Sequence, residues 1–218
     1  KFGDHGLDPE VERLTSRALS RLVDAGAVLA DEVPQDFDWA LDVCRKLIRF
    51  NQAARYGPLL AKWSTRFDPV LVRCLEEGLG QTMPELREAM LERTALFRRV
   101  QALFEGADVI VTPSFTATPP RADHPADAPW SVAGASARSL RDGWYCYAVP
   151  FNPTGHPAIS LPCGMAADGM PVGVQIVGPW HGEERLIRIA ASLEPGFGWR
   201  DQWPPLALRQ PSAGTPHG

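Results

Sequence analysis

Residues 156–178 read HPAISLPCGMAADGMPVGVQIVG, and this stretch restricts the possible folds more than any other. Two short apolar runs flank Asp168-Gly169, a pair that accepts the positive φ values of a tight turn. The segment is therefore expected to be a β-hairpin, with strands over 156–162 and 171–178. A helical pattern from Glu183 to Leu193 follows within a few residues.

The rest of the chain repeats the theme. Asp8-Pro9-Glu10 combines an N-cap acceptor, a proline at the first helical position and an acid in the first turn. The stripe Val11, Leu14, Ala18, Leu22 and Ala25 continues that helix until Gly26 closes it, and AVLADEVP, residues 27–34, then predicts a strand. From Asp36 to Leu103 the pattern is helical, broken near Gly57-Pro58, Asp68-Pro69, Gly78 to Gly80 and Pro84. ADVIVTPS, residues 107–114, reads as a strand covered on both faces. Residues 115–143 lack periodicity and are expected to form a long loop, SLRDGWYCYAV a helix, and the Pro- and Trp-rich residues 196–218 an extended surface tail. The class is α/β, with one domain over residues 1–195.

Composition narrows the partners. Of 218 residues, 44% are hydrophobic, enough for a core, and 22 basic against 26 acidic residues leave a net charge of −4. No cluster of Lys and Arg interleaved with aromatics stands out in the sequence, so nucleic acid is not an expected partner. No apolar run approaches the ~20 residues of a membrane span, and no hydrophobic signal core opens the chain, so a soluble cytoplasmic protein without a membrane partner is expected. Cys44, Cys74, Cys146 and Cys163 form no CxxC pair, which fits free structural thiols. The chain opens at Lys1 in a loop-like stretch and is expected to continue from something longer.

A search for a nucleophile finds little. Ser136 in GASAR lacks the GxSxG elbow, and Ser160 within its strand reads as a cross-strand or core hydroxyl. Cys163 would need a nearby base, for which only His156 offers itself, and His156 reads as a loop-capping side chain. His5, His124, His156, His181 and His217 show no metal-ligand spacing, and neither a dinucleotide fingerprint nor a phosphate loop is present, so no metal and no cofactor are expected. The only lysines are Lys1, Lys46 and Lys62, which leaves little for Ser-Lys chemistry.

FNPTGHPAISLPCGMAADGMPVGVQIVGPWHGEERLIRIAASLE, residues 151–194, resembles the C-terminal end of the amidase signature family of amide hydrolases. There an F-N-x-T-G-x-P-A-x-S-x-P-x-G strand leads through an x-D-G-x-P-x-G turn into a G-x-Q-x-x-G strand and a last helix. LDPEVERLTSRALSRLVDAGAVLADEVP, NQAARYG and ADVIVTPSFTATPP extend the resemblance over about residues 7 to 195. It implies a partial amidase signature fold: a mixed β-sheet sandwiched by helices, lacking the N-terminal half. It also implies a Ser-Ser-Lys triad whose Gly-Gly-Ser-Ser-Gly-Gly signature does not occur here, so no catalytic residue is assigned to this chain.

The activity implied for the whole enzyme is hydrolysis of a carboxylic amide through an acyl-serine, and these residues alone are expected to be inactive. The alternatives are a component resembling the amidase-type subunit of a glutamine-dependent amidotransferase and a truncated, non-catalytic binding protein. The expected partners are a small-molecule amide, the N-terminal half of the same enzyme, and a second copy in a homodimer. Tyr56, Trp144, Phe151, Asn152 and Thr154 are the candidate substrate contacts, the aromatics for an acyl or aryl group, the amide and hydroxyl for the leaving group. The hairpin strands would be inner strands of the whole sheet, so by itself this part is expected to expose an edge and associate.

Overall fold

The structure is a computed structural model, and it describes residues 5–30, 36–125 and 127–199. Its elements in chain order are α1 (Pro9–Asp24), α2 (Asp38–Tyr56), α3 (Leu60–Trp63), α4 (Pro69–Leu79), α5 (Met83–Ala102), β1 (Ile110–Pro113), β2 (Trp130–Val132), β3 (Ala135–Ala137), α6 (Leu140–Trp144), α7 (Phe151–Thr154), β4 (Ala158–Met165), β5 (Pro171–Val177) and α8 (Glu183–Phe197). Local chemistry explains several of the helix starts. Asp8 accepts from the amides of Glu10 and Val11 to start α1, Asp68 accepts from Val70 to start α4, and Thr82 with Glu85 forms a capping box on α5.

The hairpin forms as the sequence predicts. β4 and β5 pair antiparallel with Ser160 opposite Gln175, and β1 adds antiparallel to the other side of β5 with Thr112 opposite Gln175, giving the order β1-β5-β4. Period-two alternation then sorts the strands into two faces. Leu161, Cys163, Val172, Val174 and Ile176 point to one core, where Val11, Leu14, Ala18 and Leu22 of α1 and Leu186, Ala190, Leu193 and Phe197 of α8 cover them. Each such fully buried aliphatic side chain contributes about 1.5–3 kcal/mol. Val177 points the other way, into a second core with Phe37, Ala40, Leu96, Val100, Tyr147 and Phe151. Helices thus lie on both sides of the sheet.

Several expectations change. Residues 27–30 form no strand: Val28 is 93% exposed, and among the described residues no neighbouring strand offers a ladder; residues 31–34 of that prediction lie outside the described residues. The expected loop 115–143 contains the hairpin β2–β3, which turns at Ala133-Gly134 with both φ values positive, 49° and 83°. The predicted helix over 139–149 stops at Trp144, and FNPT is a helical turn rather than strand. β1 is half-buried along most of its length rather than covered on both faces. Finally, α8 passes through Pro195 to Phe197, so it overlaps the expected start of the tail; residues 200–218 lie outside the described residues.

Candidate active-site wall

The face of the sheet opposite α1 and α8 turns polar beyond Val177. Gln175 is buried there and donates through Nε2 to Thr112 Oγ1 and to the Tyr147 carbonyl, both at 3.0 Å. One pleat further on, Ser114 and Ser160 bring their hydroxyls to 2.5 Å of each other. Ser160 belongs to β4 and Ser114 directly follows β1, on the two sides of β5, and they meet because Gly173 lies between them without a side chain. A Cβ on Gly173 would stand 2.7 Å from Ser114 Oγ and 2.9 Å from Ser160 Oγ. Ser160 is therefore the cross-strand hydroxyl the sequence suggests, although exposed rather than buried in a core. Hairpin alternation alone puts Ser160 and Gln175 on one face; Ser114 and Gly173 were missed, since their meeting depends on where β1 docks.

Beside this face, α7 is fastened to α5. Arg93 Nε donates to the Pro153 carbonyl at 2.5 Å, Trp180 Nε1 donates to the Thr154 carbonyl at 2.9 Å, and the Trp180 ring packs edge-on against Phe97 at 4.6 Å. His156 is buried between Phe97 and Phe104, with ring centroids 5.4 and 5.5 Å away. Its Nδ1 lies 2.9 Å from Thr154 Oγ1 and its Nε2 3.1 Å from Gln101 Oε1. His156 thus anchors a turn, as a loop-capping residue should.

Burial lowers the His156 pKa from 6.5 to about 4, which fixes a pH dependence. Above pH 6.5 the ring is neutral in both folded and unfolded chains and contributes nothing. As pH falls from 6.5 towards 4, only the unfolded chain takes up the proton, so stability declines through that window. The loss from this one residue is about 2 kcal/mol between pH 7 and pH 5. His156→Gln should flatten the acid side of a plot of melting temperature against pH; parallel acid limbs for the two proteins would contradict the assignment.

The five predicted substrate contacts do not converge on one pocket. Phe151 lies in the second core and Thr154 is buried, its hydroxyl 3.0 Å from the Pro150 carbonyl that accepts from it and within reach of His156. Asn152, between them on α7, is exposed. Trp144 ends α6, stacks on Phe115 at 4.5 Å and donates from Nε1 to the Ala117 carbonyl at 2.7 Å. Tyr56 stands at the far end of α2, half-buried, with the Arg55 guanidinium 5.2 Å from its ring centre. Asn152, Trp144 and Tyr56 retain accessible surface.

Nucleophile candidates are set aside on geometry. Burial pushes the Cys163 thiol up to about 11 and the Cys146 thiol up to about 12, so neither is a thiolate near neutrality. Lys46 is bound to Glu92, and Lys62 lies over Trp63. His5 lies 3.0 Å from Asp38 and shares a cavity of about 60 Å³ with Ser136, yet among the described residues no hydrogen bond joins Ser136 to His5. Among the described residues no group of three or more His, Cys, Asp or Glu is placed to hold a metal ion.

The fold is an α/β sandwich whose polar sheet face carries the Ser114 and Ser160 hydroxyls and the Gln175 amide beside the anchored turn α7. Residues 1–187 match the Amidase family model, and the chain belongs to that family. It is 31% identical over 206 residues to the putative amidase AmiA2 of Mycobacterium tuberculosis (strain ATCC 25618 / H37Rv), covering 91% of this chain and 40% of that protein. It is 29% identical to a 6-aminohexanoate-cyclic-dimer hydrolase of Pseudomonas sp. (strain NK87), over 94% of this chain and 44% of the relative. The A-type subunit of a glutamyl-tRNA(Gln) amidotransferase from Cyanothece sp. (strain PCC 7425 / ATCC 29141) is 27% identical, over 92% of this chain and 45% of the relative. The solved structure of a 6-aminohexanoate cyclic dimer hydrolase superposes with a TM-score of 0.76 at 27% identity, covering 94% of this chain and 45% of that one. The chain thus spans less than half the length of the relatives it matches.

Proposed function

We propose that these residues form the C-terminal part of an amidase that hydrolyses a carboxylic amide to an acid and ammonia or an amine. One observation carries the reading: the sheet ends at β4, whose outer edge bears no strand among the described residues, in a chain that matches 40% to 45% of its amidase relatives. The remaining length would continue the sheet and bring a Ser-Ser-Lys triad to the polar face. There the nucleophilic serine oxygen bonds to the amide carbonyl carbon as its proton passes, through the bridging serine, to the lysine. Backbone N–H groups hold the oxyanion, the C–N bond breaks with the amine taking that proton, and water then cleaves the ester.

In this reading Trp144 and Asn152 contact the substrate through accessible side chains, Phe151 and Thr154 act by holding α7, and Tyr56, at the far end of α2 beneath Arg55, is set apart from the contact set. Hydroxylamine supplied to the full-length protein with its amide should divert product to the hydroxamate, the signature of an acyl-enzyme. Amide turnover by residues 1–218 alone would overturn the placement of the nucleophile outside them. A second reading, a component of an amidotransferase, draws support from the relatives so named. Amide hydrolysis at full rate without a second protein would count against it.

Trp144→Ala in the full-length protein is expected to lower kcat/KM for aryl amides relative to aliphatic ones about tenfold, the scale of one lost apolar contact. A panel of aromatic and aliphatic amides measures the ratio. An unchanged ratio removes Trp144 from the pocket.

A further inference from the structure

The modest net charge conceals a local imbalance. Between Asp42 and Asp68 the chain carries Arg45, Lys46, Arg49, Arg55, Lys62 and Arg66 and no acidic residue. The first three are paired: Arg45 with Asp42 and Asp142, Lys46 with Glu92, Arg49 with Glu77. The last three have no carboxylate partner among the described residues. Instead Arg55 lies over Tyr56, while Lys62 and Arg66 both lie over Trp63, 5.1 and 5.2 Å from its ring centre.

The same segment is rich in apolar side chains that find no core. From Gly57 to Val72 no residue is buried, although the stretch holds Leu59, Leu60, Trp63, Phe67, Val70 and Leu71. Leu59 is 42% exposed, and Leu79 is 59% exposed where it lies across Gly57. Three unpaired cations therefore frame a cluster of exposed leucine and half-exposed tryptophan at one end of the helical layer.

We propose that this tip, residues 55–66 with Leu79, is a docking surface for an anionic membrane. Leu59, Leu79 and Trp63 enter the headgroup layer, and Arg55, Lys62 and Arg66 meet the lipid phosphates and carboxylates. Exposed aliphatics, an interfacial tryptophan and unpaired basic residues are the combination that such surfaces need, and no helix has to cross the bilayer. Charge complementarity selects this occupant over two others. A nucleic acid would use the tryptophan face for base stacking, but Lys62 and Arg66 already sit on that ring, and it has no use for Leu59 or Leu79. Burial against the rest of the same protein would take three unpaired cations out of water, which is costly unless each finds a carboxylate. This proposal is independent of the amidase reading.

The test is sedimentation of the full-length protein with vesicles of phosphatidylcholine alone and of phosphatidylcholine with phosphatidylserine at about three to one. Partitioning is expected only with the anionic vesicles, and it should weaken as salt is raised. Each basic residue near such a surface strengthens binding by about fivefold, so Arg55→Gln/Lys62→Gln/Arg66→Gln should bind roughly a hundredfold more weakly. Leu59→Ser/Leu79→Ser should bind more weakly at every salt concentration. An unchanged melting temperature in both variants separates lost docking from misfolding.

Failure of the wild-type protein to sediment, equal binding to neutral vesicles, or full binding by the triple variant would overturn the proposal. So would a triple variant that loses affinity for transfer RNA while keeping its affinity for vesicles. Slow hydrogen exchange throughout residues 57–67 in the lipid-free protein would show instead that the rest of the chain covers the tip.

Discussion

Gly78→Ala is expected to destabilise the full-length protein by about 3 kcal/mol, against the ~1 kcal/mol by which alanine normally favours a helix over glycine. The sign is decided by the α2–α4 crossing. A Cβ at Gly78 would stand 2.3 Å from the Arg49 carbonyl oxygen and 2.7 Å from Ala53 Cβ, both on α2. Neither atom can swing aside, because one belongs to the helix backbone and the other is fixed to it. The helices must separate, and Leu75, fully buried on the same face of α4, then loses contacts. Gly80→Ala is the control, since its Cβ would meet nothing closer than 3.5 Å. Urea titration should place Gly78→Ala well below wild type and Gly80→Ala close to it; a stabilised Gly78→Ala protein would refute the close crossing.

The second large effect is expected on the polar face. Gly173→Val puts a branched side chain where Ser114 and Ser160 now meet, and about 3 kcal/mol should be lost although valine is the better strand former. Ser114 is buried and has little room to turn, whereas Ser160 is exposed. Removing the Ser160 hydroxyl should therefore relieve part of the clash: Ser160→Ala is expected to cost little in the Gly173→Val background and about 1 kcal/mol in the wild type. Additive effects in that double-mutant cycle would mean that the hydroxyls do not meet over Gly173. Under the amidase reading, turnover should fall further than stability requires, because the polar face is the wall of the pocket.

These two glycines also show how far the sequence could be read. Gly78 and Gly80 both appear there as a break between helices, and the break is real, but only the α2–α4 crossing separates an indispensable glycine from a replaceable one. Gly173 reads as part of a family pattern, with no hint that two serines 46 residues apart close over it. Of the predicted contacts, Phe151 and Thr154 are buried in α7 and not turned to solvent. Their side chains build the turn, and Asn152 between them faces outward. The basic run 43–67 was invisible in the net charge, because cations along one segment are offset by acids elsewhere in the chain.

What the sequence determined by itself is local or repetitive. Turn chemistry at Asp168-Gly169, caps at Asp8, Asp68 and Thr82, helical spacing in α1 and α5, and the dense motif over residues 151–194 each depend on neighbours within a few positions, so they survive without knowledge of the fold. The predicted strand at residues 27–34 failed over residues 27–30 for the complementary reason: a strand exists only with a partner, and among the described residues none stands beside it. Only the tertiary structure decided that Ser114 meets Ser160, that Gln175 bridges Thr112 and the Tyr147 carbonyl, that His156 is held neutral between Phe97 and Phe104, and that Arg55, Lys62 and Arg66 find no carboxylate among the described residues. Each depends on which surfaces are brought together by burying the two faces of one small sheet, and long-range burial is the term that a linear pattern does not encode.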